Sequence, residues 1–547
     1  MKVLIVGGVA GGASAAARLR RLDENAEIIL FEKGPYISFA NCGLPYYLSR
    51  TIPEEDDLLL QTPESFFGRF CVDVRVFNEV TSIDRANKTV KVHRHDTGED
   101  YEESYDKLIL SPGALPTKPA TVKGLDCEGV FTLRNVPDVK AIDAFIAEKQ
   151  PKHATVVGGG YIGIELAENL RERGLDVTVV EFADHIINNL DREMAYFAQK
   201  EMEKNGVVLK LQNGITAIEK TEAGLKVTTT KESFDSDIVL LCVGITPNNA
   251  LAKDAGLELG FKNCIVVDDK MRTSDPDIYA VGDVVECTHF VTGKKGWIAL
   301  AGPANRQGRI AADQIAGIDS RYKMTQGTSI MKVFDIAAAS TGLTEREAKA
   351  AGYDCDKIYL HSGAHAGYYP GGKMLTCKVV YERGTGKLLG GQFIGGEGAD
   401  KRCDVLAVAI RAGMTAYDLV ELELSYAPPF SSAKDPLNMA GFAIENVLTG
   451  KVKCAHWEDL DAARAEGATL LDVRTISEYA KGHVDGFVNI PLHELRSRLG
   501  ELPAGKKVYV HCHSGLRSYV ACRILSQHGF DCRNISGGWV MYNAVKG

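Results

Sequence analysis

Twice along the chain a short apolar run breaks into a glycine-rich turn and then a helix-forming stretch, and this repeated unit limits the fold more than any other feature. The first is Lys2-Val3-Leu4-Ile5-Val6, then Gly7-Gly8-Val9-Ala10-Gly11-Gly12 and a helix through Arg21; the second is Thr155-Val156-Val157, then Gly158-Gly159-Gly160-Tyr161-Ile162-Gly163 and a helix to Arg173. An apolar run without alternation predicts a strand buried on both faces, hence a parallel sheet covered by helices. Glycines in the turn let the backbone approach a pyrophosphate, whose charge the free N–H groups of the helix start stabilise. Each unit leads to a second strand ending in an acid, Glu32 and Glu181, where the ribose hydroxyls of a dinucleotide need an acceptor. The second unit fits G-x-G-x-x-G through Gly158, Gly160 and Gly163; the first has Val9 at the middle glycine, and Glu32 on the following strand restores the reading. Glu181 also repels a 2′-phosphate, so NADH is expected over NADPH.

Just past the first unit lies Ser38-Phe39-Ala40-Asn41-Cys42-Gly43-Leu44-Pro45-Tyr46-Tyr47, in which Cys42 has no close companion: the next cysteine is Cys71, 29 residues on. An arbitrary cysteine is most often a small buried apolar residue. Here a flavin at the first nucleotide unit would stand where it could pass electrons to the thiol. A lone redox thiol must take its partner from elsewhere: a small-molecule thiol, a persulfide sulfur, or an oxidised form of itself.

Composition narrows the function classes. A chain of 547 residues predicts several domains, and 45% hydrophobic with 25% charged residues is ordinary for a globular enzyme. The net charge of −9, with no strongly basic tract, argues against nucleic acid as a partner. No run of some 18 apolar residues predicts a membrane span, and the N-terminus runs straight into a strand without the features of a signal peptide, so a cytoplasmic protein is expected. Thirteen cysteines without Cys-x2-Cys spacing predict reduced thiols and no metal site.

With these motifs in place, residues 1–446 resemble the pyridine nucleotide-disulfide oxidoreductase family, in its single-cysteine branch of coenzyme A disulfide reductases, NADH oxidases and NADH peroxidases. Relatives of the glutathione reductase type carry Cys-x4-Cys where this chain has Cys42 alone. The ten-residue stretch around Cys42 is similar to the coenzyme A disulfide reductase motif. The resemblance implies bound FAD, a Cys42 that faces the flavin and cycles through a mixed disulfide with coenzyme A, and coenzyme contacts from Ser14, Arg18, Arg21, Ser38, Asn41 and Lys434. Arg18 and Arg21 lie one helical turn apart, a spacing suited to phosphate oxygens and equally to a solvated helix face. The strand ends at Ser111-Pro112-Gly113 and Gly282-Asp283 are implied flavin contacts, Asp283 being alternatively a turn aspartate capping the next helix. Oxidase and peroxidase relatives place a histidine within the first glycine turn; Ala10 stands there, which removes the acid/base group that peroxide chemistry needs.

Residues 325–446 alternate short strands with helices, and the resemblance implies an α+β interface domain whose homodimer completes each active site. Tyr368 and Tyr426 match motifs whose tyrosines reach Cys42 of the other subunit, where a phenol protonates a leaving thiolate; Tyr369 is an equal candidate by local sequence, and only the family pattern favours Tyr368. After a linker, 447–457, residues 458–547 resemble the rhodanese family through Leu470-Leu471-Asp472-Val473-Arg474, Glu478-Tyr479, Gly482-His483 and the loop His511-Cys512-His513-Ser514-Gly515-Leu516-Arg517-Ser518. Loop N–H groups, a helix N-terminus and Arg517 would favour the Cys512 thiolate and hold an anionic sulfane group. Cysteine phosphatases use Cys-x5-Arg; Cys-x4-Arg fits sulfur better.

The expected architecture is α/β: an FAD-binding domain (1–150 and 276–324), an inserted NADH-binding domain (151–275), a dimerisation domain (325–446) and a rhodanese-like domain. The expected function is NADH-dependent, FAD-mediated reduction of coenzyme A disulfide, coenzyme A persulfide or polysulfide through Cys42, with Cys512 delivering sulfane sulfur. A sulfur-trafficking or redox-sensing protein is the alternative, with an NADH oxidase or peroxidase ranked below both.

Overall fold

Val3, Leu4 and Ile5 have no solvent exposure, because the first apolar run forms the strand Lys2–Val6 at the centre of a parallel sheet. It pairs with Glu27–Glu32 on one side, Val3 opposite Ile28, and with Lys107–Leu110 on the other, Leu4 opposite Leu108. Ile278–Ala280 and Asp73–Val76 complete the five strands at the two edges. The computed structural model describes residues 1–222 and 224–546, and they divide into two compact units. The first comprises Met1–Ala183 and Gly206–Gly327; the second comprises Asp184–Asn205 and the chain from Thr328 onwards.

In the first unit the small residues of the helix Ala10–Leu22 allow a very close neighbour. The helix Ala301–Ile315 lies so near that a Cβ on Gly308 would stand 2.3 Å from the Gly11 carbonyl oxygen. The second glycine unit builds a sheet of the same kind: His153–Val157 sits between Asp176–Val180 and Ile238–Leu241, all parallel. The unit thus contains two nucleotide-type folds, with the second inserted in the first along the chain.

Among the described residues the second unit has two five-stranded sheets. One is antiparallel, in the order Ser329–Val333, Ile336–Gly342, Leu388–Gly395, Met374–Glu382, Cys355–Gly363. The other is parallel, in the order Cys454–Ala455, Cys532–Ile535, Val508–His511, Thr469–Asp472, Val488–Asn489. Its edge strand Cys454–Ala455 comes from within the stretch read as a linker, whose beginning closes the helix Pro436–Leu448.

Charged residues tie this unit together. Lys378, fully buried, donates to Asp191 (2.7 Å), Glu193 (2.5 Å) and Glu345 (2.9 Å). Lys357 bridges Glu345 (2.9 Å) to Glu458 (2.6 Å), and His456 meets Asp356 at 2.9 Å. Asp191 and Glu193 belong to the segment Asp184–Asn205, whose helix Arg192–Lys204 buries Met194, Ala195, Ala198 and Met202. Three carboxylates converge there, but the Lys378 ammonium fills the space between them. Among the described residues no helix is long and apolar enough to cross a membrane.

Candidate active sites

The two glycine turns are built alike. Gly7 (φ +98°) passes so close to the next strand that a Cβ would stand 2.1 Å from the Ser111 carbonyl oxygen; Gly158 (φ +109°) does the same at 2.2 Å from that of Cys242. A Cβ on Gly12 or Gly163 would lie 1.9 Å from the carbonyl oxygen of Gly7 or Gly158, so helix and turn meet backbone to backbone. Each acid then reaches back to its own turn. Glu32 accepts from the N–H groups of Gly8 (3.1 Å) and Gly34 (3.0 Å), and Glu181 from those of Gly159 (2.5 Å) and Ala183 (2.7 Å). The acids therefore brace the turn as well as standing where ribose hydroxyls arrive, and a carboxylate retains acceptor capacity for both tasks.

Gly160 faces a different kind of neighbour, since no protein atom lies within 4 Å of the place its Cβ would take. Open space beside an obligatory turn is a cradle that a side chain would fill and a phosphate group can use. Gly113, with φ +70°, has the same open surround. Around the first turn stand Glu32, Ser111, Gly282, whose N–H donates to Gln307 at 2.8 Å, and Asp283, whose carboxyl burial pushes up against the opposing charge of Arg134. Arg134, which no sequence motif singles out, donates to the Pro112 carbonyl at 3.0 Å and lies within electrostatic reach of Glu32 and Asp283. These donors and acceptors fit a flavin dinucleotide at the first turn and a nicotinamide dinucleotide at the second.

The Cys42 stretch is pinned to the first turn. Ser38, held at φ +44°, donates its N–H to the Gly8 carbonyl at 2.8 Å; a non-glycine residue in the left-handed region costs energy and marks a constrained site. Asn41, Cys42 and Gly43 then form one 3-10 turn leading into the short helix Leu44–Leu48. That helix docks on Tyr161–Glu172, the helix opened by the second glycine turn: Ser49 donates to Asn169 Oδ1 (2.6 Å) and Arg173 to the Leu48 carbonyl (2.7 Å). The docking brings Glu165 to Tyr46 and Cys42. Burial, then the charge of Glu168, pushes the Glu165 carboxyl up to about 7. Burial, followed by the charges of Glu165 and Asp283, pushes the Cys42 thiol up, although the residue keeps one exposed edge.

Beside this stretch a cavity of about 400 Å³ is lined by Ser14, Arg18, Arg21 and Ser38, together with Arg69 and Arg309. Four of the six sequence-nominated coenzyme contacts thus share one cavity, and two further arginines join them. Arg18 is partly neutralised by Asp313 at 2.7 Å, and Ser14 donates to Asn305 at 2.8 Å. Asn41 is exposed next to Cys42. Lys434 is exposed on the second unit, one residue before Asp435, whose carboxylate pairs with buried Arg402 at 2.9 Å.

In the second unit the two nominated tyrosines meet: the hydroxyls of Tyr368 and Tyr426 are 2.8 Å apart and both side chains are exposed. Tyr369 instead packs edge-on against His365, with centroids 5.6 Å apart, which separates two residues that the sequence alone left equivalent.

Cys512 follows the strand Val508–His511 and is fully buried, its Sγ accepting from the Gly515 N–H (3.1 Å) and the Ser518 hydroxyl (3.4 Å). The helix begins at Leu516. A second turn supports the loop: the Trp539 and Val540 N–H groups donate to the Cys512 and His513 carbonyls (2.8 and 3.1 Å), and a Cβ on Gly538 would sit 2.5 Å from the Cys512 oxygen. The same turn is anchored on the antiparallel sheet, where the Tyr359 N–H donates to Ser536 Oγ at 3.1 Å. Arg517 lies within electrostatic reach of the Cys512 thiol and is also paired. Both its terminal nitrogens donate to Glu478, at 2.8 and 2.7 Å.

Comparison with known proteins accounts for the whole chain. Residues 1–308 match the pyridine nucleotide-disulphide oxidoreductase family, 328–436 its dimerisation domain and 456–544 the rhodanese-like domain. The coenzyme A disulfide reductase of Staphylococcus epidermidis is 39% identical over 443 residues, 81% of this chain and 99% of that protein. The reduced Bacillus anthracis CoADR-RHD is 47% identical with a TM-score of 0.97, over 100% of this chain and 98% of that one. An NAD-dependent persulfide reductase from A. fulgidus is 37% identical with a TM-score of 0.93, over 99% and 100%. Two glycine cradles, a lone cysteine pinned to the first of them and these matches lead to one conclusion: the chain belongs to the pyridine nucleotide-disulphide oxidoreductase family and continues into a rhodanese-like domain.

Proposed function

We propose that the protein is an NADH-dependent flavoprotein that reduces the S–S bond of coenzyme A disulfide and coenzyme A persulfide, and of polysulfide presented through its rhodanese-like domain. The observation that carries the reading is the arginine-lined cavity to which Ser38 of the Cys42 stretch contributes, which suits a thiol bearing several phosphates. Gly7, Gly8, Gly11, Gly12, Glu32, Ser111, Gly113, Gly282 and Asp283 would hold a flavin, and Gly158, Gly160, Gly163 and Glu181 a nicotinamide dinucleotide, which when bound would provide the two electrons.

The protein's own groups do the rest. The Cys42 thiolate attacks the S–S bond, and the departing thiolate or sulfide takes a proton. Tyr426 of the partner subunit, with Tyr368 of the partner subunit bonded to it, is the donor in a homodimer formed through the dimerisation domain. Arg18, Arg21 and Ser14 orient the coenzyme, with Asn41 and Lys434 completing its contacts. Cys512 accepts sulfane sulfur from poorly diffusing donors and raises its local concentration near Cys42. All thirteen cysteines are unpaired, which fits a reducing cytoplasm. The Lactobacillus brevis water-forming NADH oxidase is a more distant relative, at 28% identity, and Ala10 disfavours oxygen chemistry here.

A matrix of donors and variants tests the reading. Cys42→Ser should abolish NADH oxidation on every S–S donor, while Cys512→Ser should lose activity chiefly on polysulfide or elemental sulfur and keep it on free coenzyme A persulfide. Full turnover in Cys42→Ser removes that residue from the mechanism. Equal loss on all donors in Cys512→Ser removes the delivery role.

A further inference from the structure

We propose that Arg402 is a positioning residue for the tyrosine pair: its buried guanidinium clamps together the two loops that carry Tyr368 and Tyr426, and the second of these loops also carries Lys434. The inference rests on reading the tyrosines as proton donors, and goes on to what holds them in register.

The two phenols belong to separate loops and both are exposed, so burial of their own rings does not set their places. The join lies beneath them. Arg402, on the helix Ala399–Arg411, is 1% exposed. Its Nη2 reaches the Ala364 carbonyl at 2.9 Å, in the loop leading to Tyr368. The same nitrogen reaches Ser431 Oγ at 3.0 Å and Asp435 Oδ2 at 2.9 Å, in the loop that follows Tyr426, and Nε also donates to Asp435 at 3.1 Å. Ser431 and Asp435 are as deeply buried as the arginine. The Ser431 hydroxyl donates to Asp435 Oδ2 at 2.8 Å, and its carbonyl accepts from the Ala366 N–H at 3.1 Å, which bonds one loop to the other directly. Asp435 in turn caps the helix Pro436–Leu448 through the Leu437 N–H at 3.0 Å, and Lys434 is its neighbour in the chain. Gly398, at φ +73°, leaves the room that Arg402 Nη1 occupies and a Cβ would take.

A guanidinium suits this task because one rigid planar group fixes several acceptors at once, whereas a lysine ammonium keeps the charge and loses the fork. Water cannot replace a lost bond at this depth, so the loops stay joined only while the arginine satisfies them. Lys401 approaches Asp435 to 3.7 Å and touches neither Ser431 nor the Ala364 carbonyl, so it does not duplicate the clamp. Proton donation to a leaving thiolate requires hydrogen-bond reach; a loop displaced by a fraction of a bond length keeps its fold and loses rate.

The test is NADH turnover on coenzyme A disulfide by the full-length holoenzyme, as wild type, Arg402→Lys, the double variant Tyr368→Phe with Tyr426→Phe, and the three substitutions together. Arg402→Lys should lower kcat about tenfold in the wild type but less than about twofold in the double tyrosine variant, where no donor is left to position. KM for the disulfide should rise by the same factor in both backgrounds, because Lys434 is present in each. Flavin reduction by NADH, which precedes the thiol chemistry, should keep its rate. Amide exchange gives a readout that needs no turnover: segments 364–373 and 426–435 should lose protection together in Arg402→Lys, while the strand Met374–Glu382 keeps it. Equal kcat losses in the two backgrounds, or protection lost along the strand as well, would show a general role in stability and overturn the proposal. Ser431→Ala removes one of the clamped acceptors and leaves the Arg402–Asp435 pair; it should give the same pattern at smaller size, and it carries the test if Arg402→Lys does not fold. Full turnover in the double tyrosine variant would instead sink the reading of the tyrosines as donors, a separate outcome that the exchange of the two loops does not depend on.

Discussion

The hydroxyls of Tyr368 and Tyr426 lie 2.8 Å apart on an exposed surface, 75% and 47% accessible respectively. Holding two exposed side chains in register costs rotamer freedom. The hydrogen bond to Tyr426 pushes the Tyr368 hydroxyl up, leaving one phenol to donate outward while the other supports it.

Removing either partner should therefore slow the protonation of the leaving thiolate. We expect Tyr426→Phe and Tyr368→Phe to lose roughly 10- to 100-fold in kcat, at the lower end of general acid catalysis. The double variant should lose little more than the worse single one, since the two act as a unit. Steady-state turnover on coenzyme A disulfide across the four proteins decides it, and multiplicative losses would mean independent roles.

Glu165 should govern the ionisation of Cys42. Burial is the main reason the thiol is held up, and the Glu165 charge is the next. Glu165→Gln deletes that charge, so the thiol pKa should fall. The pH midpoint of Cys42 alkylation should move to lower pH in this variant, and an unmoved midpoint would detach the two groups. The sign for stability is the reverse of the common carboxylate case. With its carboxyl raised to about 7, the folded protein holds this proton more tightly than the unfolded chain, so the wild type loses stability as pH rises from about 4.5 through 7, and Glu165→Gln should flatten that stretch of the curve.

Nucleotide choice should follow Glu181. Flavin bleaching is expected to be faster with NADH than with NADPH, and Glu181→Ala should narrow the difference while weakening binding of both, because Gly159 loses its acceptor. Equal wild-type rates would refute the argument from the 2′-phosphate.

Lys378→Met should destabilise the second unit by about 3–5 kcal/mol, the usual cost of leaving buried carboxylates without their cation. In the wild type Lys378 holds Asp191 and Glu345 below the ordinary range against the effect of burial, so their contribution is present above about pH 4 and lost as pH falls through the lowered folded values. Without the ammonium, Glu345 keeps Lys357 while Asp191 keeps only neutral donors against its burial, so Asp191 would be raised and the variant should gain stability as pH falls through that value. Urea titrations at pH 5 and pH 8 should show no change from these groups in the wild type and a more stable variant at pH 5.

Local chemistry is legible in the order of the residues alone. Glycine turns, their acids, Cys42 and Cys512 announce themselves because the chemistry needs those residue types at fixed spacings, and the doubly wound sheets follow from apolar runs such as 2–6 and 155–157. What the sequence hides depends on distant chain segments meeting. Arg309 reaches the cavity from a helix some 290 residues beyond Arg18, and Glu165 meets Cys42 only because Leu44–Leu48 docks on the second nucleotide helix. Glu478 is visible as part of a rhodanese signature, but its grip on Arg517 needs the folded loop. The segment Asp184–Asn205 reads as any amphipathic helix; nothing in its periodicity reveals that it joins the other unit.

The turn Ser536–Gly537–Gly538 holds up the Cys512 loop from below and is itself fastened to Tyr359. A rhodanese-like module is usually pictured as freely transplantable, yet this one shares its footing with the neighbouring sheet. Grafting in a foreign module would keep the nucleophile and discard the floor beneath it unless the equivalents of Ser536 and Gly537 came too. Because the link runs from a main-chain N–H, it tolerates change in the side chain at 359 and asks only that the grafted module present an acceptor where Ser536 Oγ stands.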